Sequence, residues 1–219
     1  MNFQFLNLLC KLSEETNKVM VMNVNDVIDL ENGYKIQRME NDKFFDVKSN
    51  LKEKVFKDDH SLFPGEYLTD LEKEQVANLR TGLYKDQFTI FLGLFDKEEN
   101  FVGWSFGYQV DQMTYYMCNS AILNKHRRKG LYTSLMNTNL EILKNIGFQT
   151  IYSRHNATNN SVIIPKLKAG FIISSLEMDD VIGVMVTLKY FTNEKRRKIM
   201  DYRAGQLKPD DELKSLFKL

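Results

Sequence analysis

The run His126-Arg127-Arg128-Lys129-Gly130-Leu131-Tyr132-Thr133, followed downstream by Asn159 through Phe171, decides how this chain is read. Four basic side chains and one glycine stand between an apolar, strand-like run and an amphipathic helix. Backbone N–H groups at a helix N-terminus have no intrahelical partner, and the helix dipole favours an anion there. The glycine gives the turn its backbone freedom, while arginine and lysine add charge-assisted bonds. Such a loop is where a phosphate-bearing ligand belongs.

Upstream of the loop the strand signals dominate. Phe88 to Phe95 is apolar on both faces, as a central strand is. Phe101 to Val110 and Thr114 to Leu123 follow after short polar turns, which predicts an antiparallel meander. Downstream, Leu131, Leu135, Ile142 and Ile146 make a helical stripe, widened by Tyr132, Met136 and Leu143 and ended by Gly147. Gln149 to Arg154 reads as a strand again. Strand, long helix, strand is a βαβ unit, and its crossover makes the two strands parallel. A short helix over about 161–169 and strands over 171–177 and 182–191 complete the core.

Nearer the N-terminus the pattern predicts a helix over 3–18, a first strand from Gly33 to Met39 and helical spacing over 43–58. A further helix runs to Leu79, capped by Thr69 or Asp70. The tail, 193–219, reads as two helices split near Gly205 and Pro209, with Asp210 as a cap. The expected organisation is an N-terminal helical extension over 1–32, a core domain over 33–191 and a C-terminal helical tail over 192–219.

Composition narrows the partners. At 43% hydrophobic and 12% aromatic, the 219 residues can build a sizeable core. Thirty basic against twenty-nine acidic side chains leave no global field for nucleic acid or an anionic membrane. Two cysteines, Cys10 and Cys118, are too few for a disulfide framework or a zinc site. The three histidines, His60, His126 and His155, have no metal-ligand spacing. No run reaches the roughly 20 apolar residues of a membrane span. The expectation is a reduced, soluble, cytoplasmic protein without metal. Lys195 to Lys198 spreads around a helix as a solvated face, and the aromatics from Phe101 to Tyr116 suit sheet packing better than base stacking.

Two familiar phosphate motifs are absent. The loop has one glycine where the dinucleotide fingerprint needs three, and no Gly-Lys-Ser/Thr follows an earlier glycine. Arg127-Arg128-Lys129-Gly130-Leu131-Tyr132 instead resembles motif A of the GNAT superfamily of acyl-CoA-dependent N-acyltransferases, Arg/Gln-x-x-Gly-x-Gly/Ala after an apolar strand. Tyr132 departs from it, standing where the family has a small residue, so its ring must turn away from the cofactor. A second segment strengthens the resemblance. Asn159 precedes Gly170 by eleven positions, and Lys168-Ala169-Gly170-Phe171 fits the end of the family's downstream pattern. The likeness extends over about 34–191.

The resemblance implies an α/β (α+β) fold: a GNAT-like mixed, mostly antiparallel seven-stranded sheet flanked by helices and splayed at a parallel strand pair. It implies acetyl-CoA or another acyl-CoA as co-substrate. The strand edge at Ile122 and Leu123 would pair with the pantetheine amides. Arg127, Arg128, Lys129, Gly130, Leu131, Tyr132 and Thr133 would bind the pyrophosphate, and the Asn159 amide, both donor and acceptor, would bond the pantetheine arm. The implied activity is transfer of an acetyl or short acyl group to an amine, on a small molecule or a protein, with room for a homodimer. The alternative is a non-catalytic acyl-CoA sensor or regulatory module.

The catalytic residues are less well marked. Lys166 stands where many relatives have the tyrosine that protonates the departing thiolate, and a lysine also holds its proton at neutral pH. A solvated charge beside Lys168 is the plainer expectation. His155 ends the second parallel strand and suits a general base by its ordinary pKa, although a structural role is the plainer reading there too. The strand from Tyr115 to Ile122 carries no acid. Cys118 reads as buried, without a partner to activate it.

Overall fold

The computed structural model describes residues 22–23, 26–49, 51, 55, 64–84 and 87–218. The helix expected over 3–18 and most of 50–63 lie outside these residues. Strands β1 (Val27–Asp29), β2 (Lys35–Arg38), β3 (Thr89–Phe95), β4 (Phe101–Gln109), β5 (Thr114–Ile122), β6 (Thr150–Asn156), β7 (Ile172–Asp179) and β8 (Gly183–Phe191) form one sheet. Its order is β1-β2-β3-β4-β5-β6-β8-β7. Every neighbouring pair is antiparallel except β5 and β6. The sheet thus has eight strands where seven were expected. The additional one is β1, three residues long and exposed throughout, so it carries no alternation to read.

The helices are α1 (Asn41–Ser49), α2 (Asp70–Tyr84), α3 (Leu131–Ile146), α4 (Asn160–Lys168), α5 (Glu194–Arg203) and α6 (Asp211–Phe217). Local chemistry sets their ends. Thr69 and Glu72 bond reciprocally in a capping box ahead of α2. Asn193 caps α5, and Asp210 accepts from the Leu213 N–H at 3.0 Å to cap α6. Gly147 closes α3 in the left-handed region at φ 108°, its N–H returning to Leu143 and Lys144. Pro165 sits inside α4, where it withholds only the N–H that would reach Ser161.

Each face of the sheet has its own core. On one side, Ile90, Leu92, Tyr115, Met117, Ile151 and Leu188 pack under the apolar stripe of α3 (Leu131, Leu135, Leu143) and Ile163 of α4. On the other, Phe91, Phe101, Trp104 and Ala121 close around Phe44 of α1. Trp104 is fully buried and satisfies its indole N–H on Asn119 at 2.7 Å.

The site depends on where β5 and β6 part. They pair only from Thr114↔Thr150 to Tyr116↔Tyr152 and then diverge. Just past that point β5 bulges. Met117 faces Gly107 and Asn119 faces Phe106, which leaves Cys118 as the additional residue. Gly107 permits the close approach: a Cβ there would lie 2.1 Å from the Tyr116 carbonyl oxygen.

Candidate active site

The fork between β5 and β6 opens into a cavity of about 800 Å³. Its walls come from three elements. Ser120, Ala121 and Ile122 supply the edge of β5, and the loop and first turn of α3 contribute His126, Arg127, Arg128 and Gly130 to Thr133. Asn159, Ser161, Val162 and Pro165 line it from α4, and Val55 adds an apolar contact beyond α1. Ala121 and Val55 belong to the α1-side cluster, whereas Ile122 and Leu131 belong to the α3-side cluster. The cavity therefore runs through the sheet from one face to the other.

The loop opens α3 without a side-chain cap. Gly130 occupies the N-cap position of α3 at φ 76°, with no side-chain cap on the first-turn N–H groups. Those of Leu131, Tyr132 and Thr133 have no side-chain cap among the described residues, the arrangement that suits an anion. Arg128 also adopts the left-handed region, at φ 63°, a conformation uncommon for a non-glycine residue and enriched at ligand loops. The Arg127 Nε donates to the Ile122 carbonyl at 2.9 Å, tying loop to strand. Tyr132 packs against the core, and burial raises its phenol pKa above the usual value, so the ring is neutral.

Two residues expected at the ligand are committed elsewhere. The Leu123 N–H donates to the Val102 carbonyl, and its own carbonyl accepts from His126, so its backbone is spent within the fold. Lys129 does not line the cavity. Its ammonium donates to the Tyr34 hydroxyl at 2.9 Å, and that hydroxyl also meets His126 Nδ1 at 3.1 Å. Lys129 and His126 thereby fasten the back of the loop to β2's flank. Tyr34 carries no motif of its own, so this latch had no sequence signal.

Asn159 lines the cavity without capping α4. Its carbonyl side-chain oxygen accepts from the Ser161 hydroxyl at 2.7 Å. Under the cavity floor, Ser120 donates to Ser105 and buried Asn139 donates to the same hydroxyl. These serines and Asn139 lay outside any motif.

Lys166 is not solvated. It is 2% exposed, and its ammonium lies 2.8 Å from Ser153 Oγ, 3.6 Å from Met117 Sδ and 4.7 Å from the centre of the Phe171 ring. Burial pulls its pKa down to about 7. His155 is half-buried, with Nε2 2.9 Å from the same Ser153 Oγ. Burial first, and then the Lys166 charge, hold its pKa down to about 3, so the imidazole is neutral at ordinary pH. Burial raises the Cys118 thiol, which leaves it a poor nucleophile.

On the opposite face of the fork, Tyr116 and Tyr152 stack at 4.8 Å, with Tyr108 edge-on to Tyr116 at 5.4 Å. Arg154 beside them pairs with Glu177 and Asp179. Among the described residues no helix is long and apolar enough to cross a membrane.

A sheet forked at its one parallel pair, with an uncapped helix N-terminus at the fork's mouth, defines a class of acyltransferases. The family model of the GNAT acetyltransferases matches residues 52–171, and the chain belongs to that family. Its reaction is acyl-CoA-dependent transfer of an acyl group to an amine. Solved structures of the same fold include the ribosomal-protein-S18-alanine N-acetyltransferase of Escherichia coli, at 15% identity and TM-score 0.53 over 73% of this chain and 94% of that one. The ribosomal-protein-S5-alanine acetyltransferase of Vibrio fischeri matches at 9% identity and TM-score 0.57, over 77% of this chain and 98% of that one. A variant of the spermidine N-acetyltransferase SpeG of Vibrio cholerae matches at 14% and 0.54, over 74% and 98%. No curated protein matches the sequence significantly.

Proposed function

We propose that this chain moves an acetyl or short acyl group from CoA to a primary amine, with the two substrates meeting through the fork from opposite faces of the sheet. The observation that carries this reading is the cavity itself, walled on one face by the α3 loop and on the other by Ala121 and Val55. Arg127, Arg128 and the N–H groups of Leu131 to Thr133 hold the pyrophosphate. The pantetheine arm lies along Ser120 to Ile122 and takes a bond from Asn159. Leu123 and Lys129 act one step back, by shaping the loop.

The bulge at Cys118 takes backbone out of the β4 ladder beside the fork, and its N–H is our candidate donor to the thioester oxygen. The amine approaches from the face of Tyr108, Tyr116 and Tyr152. The related enzymes act, by name, on ribosomal-protein alanine and on spermidine, which supports an amine acceptor without selecting one. A cytoplasmic location suits this chemistry.

Calorimetric titration with acetyl-CoA tests the donor site. Wild type should bind, and an Arg127→Ala, Arg128→Ala double variant should bind at least about tenfold more weakly while remaining folded. Undetectable binding by folded wild type overturns the reading. Binding without CoA release across a broad amine panel would instead identify the sensor.

A further inference from the structure

The sheet ends at β7, whose outer edge pairs with no strand among the described residues. Ile172 to Asp179 holds no proline and no basic residue, two common means of blunting an edge. Its one interruption is the bulge at Ser174, whose hydroxyl donates to the Thr187 carbonyl at 3.2 Å. Ile173, Leu176 and Met178 lie opposite Leu188, Val186 and Val184 of β8. Leu188 and Val186 belong to the core under α3, so the three β7 side chains share that face of the sheet. They are exposed by 54, 68 and 82%.

Helix α4 extends this surface. It packs on β8 with Ile163 buried. At 3.6 residues per turn, Val162 and Pro165 fall on one side of Ile163 and line the cavity, whereas Ile164 and Leu167 fall on the other. The cavity opens at the β5–β6 fork, so Ile164 and Leu167 look towards the β7 end of the sheet. With Val184 this makes six large apolar side chains on one face, 39–82% exposed, a patch on the order of 500 Å². A lone monomer's largest patch is about 300–600 Å², and a standard interface takes about 800 Å² from each partner. The strip supplies more than half of that, and the open edge beside it lies within the same footprint.

We propose that β7 pairs antiparallel with β7 of a second copy across a two-fold axis at Leu176, joining two eight-stranded sheets into one. The strand itself selects this occupant. With the axis there, Leu176 meets Leu176, Ser175 meets Glu177, and Met178 meets Ile173 across the bulge. The apolar residues stay on one face, and no acid lies opposite an acid. Glu177 and Asp179, on the other face, are already paired with Arg154. A parallel alignment would set Glu177 on Glu177 and Asp179 on Asp179. The two-fold pairing also closes: it uses both open edges and leaves only the three-residue β1 at either end. The flank of α4 that lines the cavity stays free, and the pairing does not depend on the acyl transfer proposed above.

Analytical ultracentrifugation of the full chain tests the pairing. Wild type should sediment as a dimer at micromolar concentrations. Leu176→Lys combined with Met178→Lys should raise the dimer Kd by about 10²-fold or more. Its far-ultraviolet circular dichroism should not change, because both side chains are exposed in the single chain. Leu79→Lys, at a position 75% exposed on α2, should leave the dimer intact. Leu176→Cys should join two chains by a disulfide on mild oxidation, since facing Cα atoms of an antiparallel pair stand about 4.5–5.5 Å apart. Leu79→Cys should not. A wild-type monomer overturns the proposal, whether the strip is bare or, as a maleimide-resistant Leu176→Cys would show, covered by residues 1–21 of its own chain. A dimer that survives the two lysines, or a Leu176→Cys dimer that never cross-links, overturns it as well. Acyl-CoA binding is read separately by calorimetry, so either reading can fail without the other.

Discussion

Lys166 carries an energetic cost whatever its chemistry. Burial pulls its pKa from the ordinary 10.5 down to about 7, so between those values the unfolded chain binds more protons than the folded one. Stability from this group therefore rises with pH across that window, and the penalty is full below it. His155, lowered from 6.5 to about 3, adds a second loss as pH falls below the ordinary histidine range. Removing the buried charge should stabilise the fold. In urea unfolding, Lys166→Met should raise stability over wild type more at pH 6 than at pH 10, and an equal gain at both would show that Lys166 keeps its ordinary pKa. The position of Lys166 was legible from its distance to Asn159 and Gly170, but its burial was not. Lysine is rarely buried, and only the fork's geometry brings Ser153 and Met117 to its ammonium.

At the scale of elements, the helix start at Gly130 was readable because glycine, basic loop and apolar stripe all agree on one turn. The caps at Thr69 and Asp210 and the meander were readable for the same reason: short-range chemistry specifies them. Strand β1 and the latch behind the loop were not, since both depend on partners far along the chain. Tyr34 meets Lys129 and His126 across more than ninety residues. The latch predicts a specific loss. Tyr34→Phe keeps the ring under the Lys129 ammonium, which sits 5.4 Å from its centroid, and removes only the hydroxyl. One hydrogen bond is worth about 0.5–1.5 kcal/mol net, so acetyl-CoA affinity should weaken by about two- to tenfold in titration calorimetry. An unchanged affinity would mean that the backbone of 126–130 holds its shape unaided.

For the whole molecule, strand order turns local features into a site. The βαβ crossover makes β5 and β6 the single parallel pair, and a parallel pair released after three residues leaves a gap that an antiparallel hairpin would have closed with a turn. That gap runs between two separate cores, and in the proposed reading each substrate takes its own face. The candidate donor loop was legible because it lies within one βαβ unit. The proposed acceptor side was not, because Tyr108, Tyr116, Tyr152 and Arg154 come together only in the folded sheet. The proposed two-faced cavity predicts a ternary complex and not a covalent acyl-enzyme, because burial raises the pKa of Cys118, the one thiol among the described residues. Initial-velocity plots against acetyl-CoA and amine should therefore intersect, and acetyl-CoA alone should release no stoichiometric burst of CoA. Cys118→Ala should keep kcat within about threefold of wild type, since a side chain that only fills the bulge contributes packing and not chemistry. Parallel plots, a burst of one CoA per chain, or loss of turnover in Cys118→Ala would place the thiol on the reaction path.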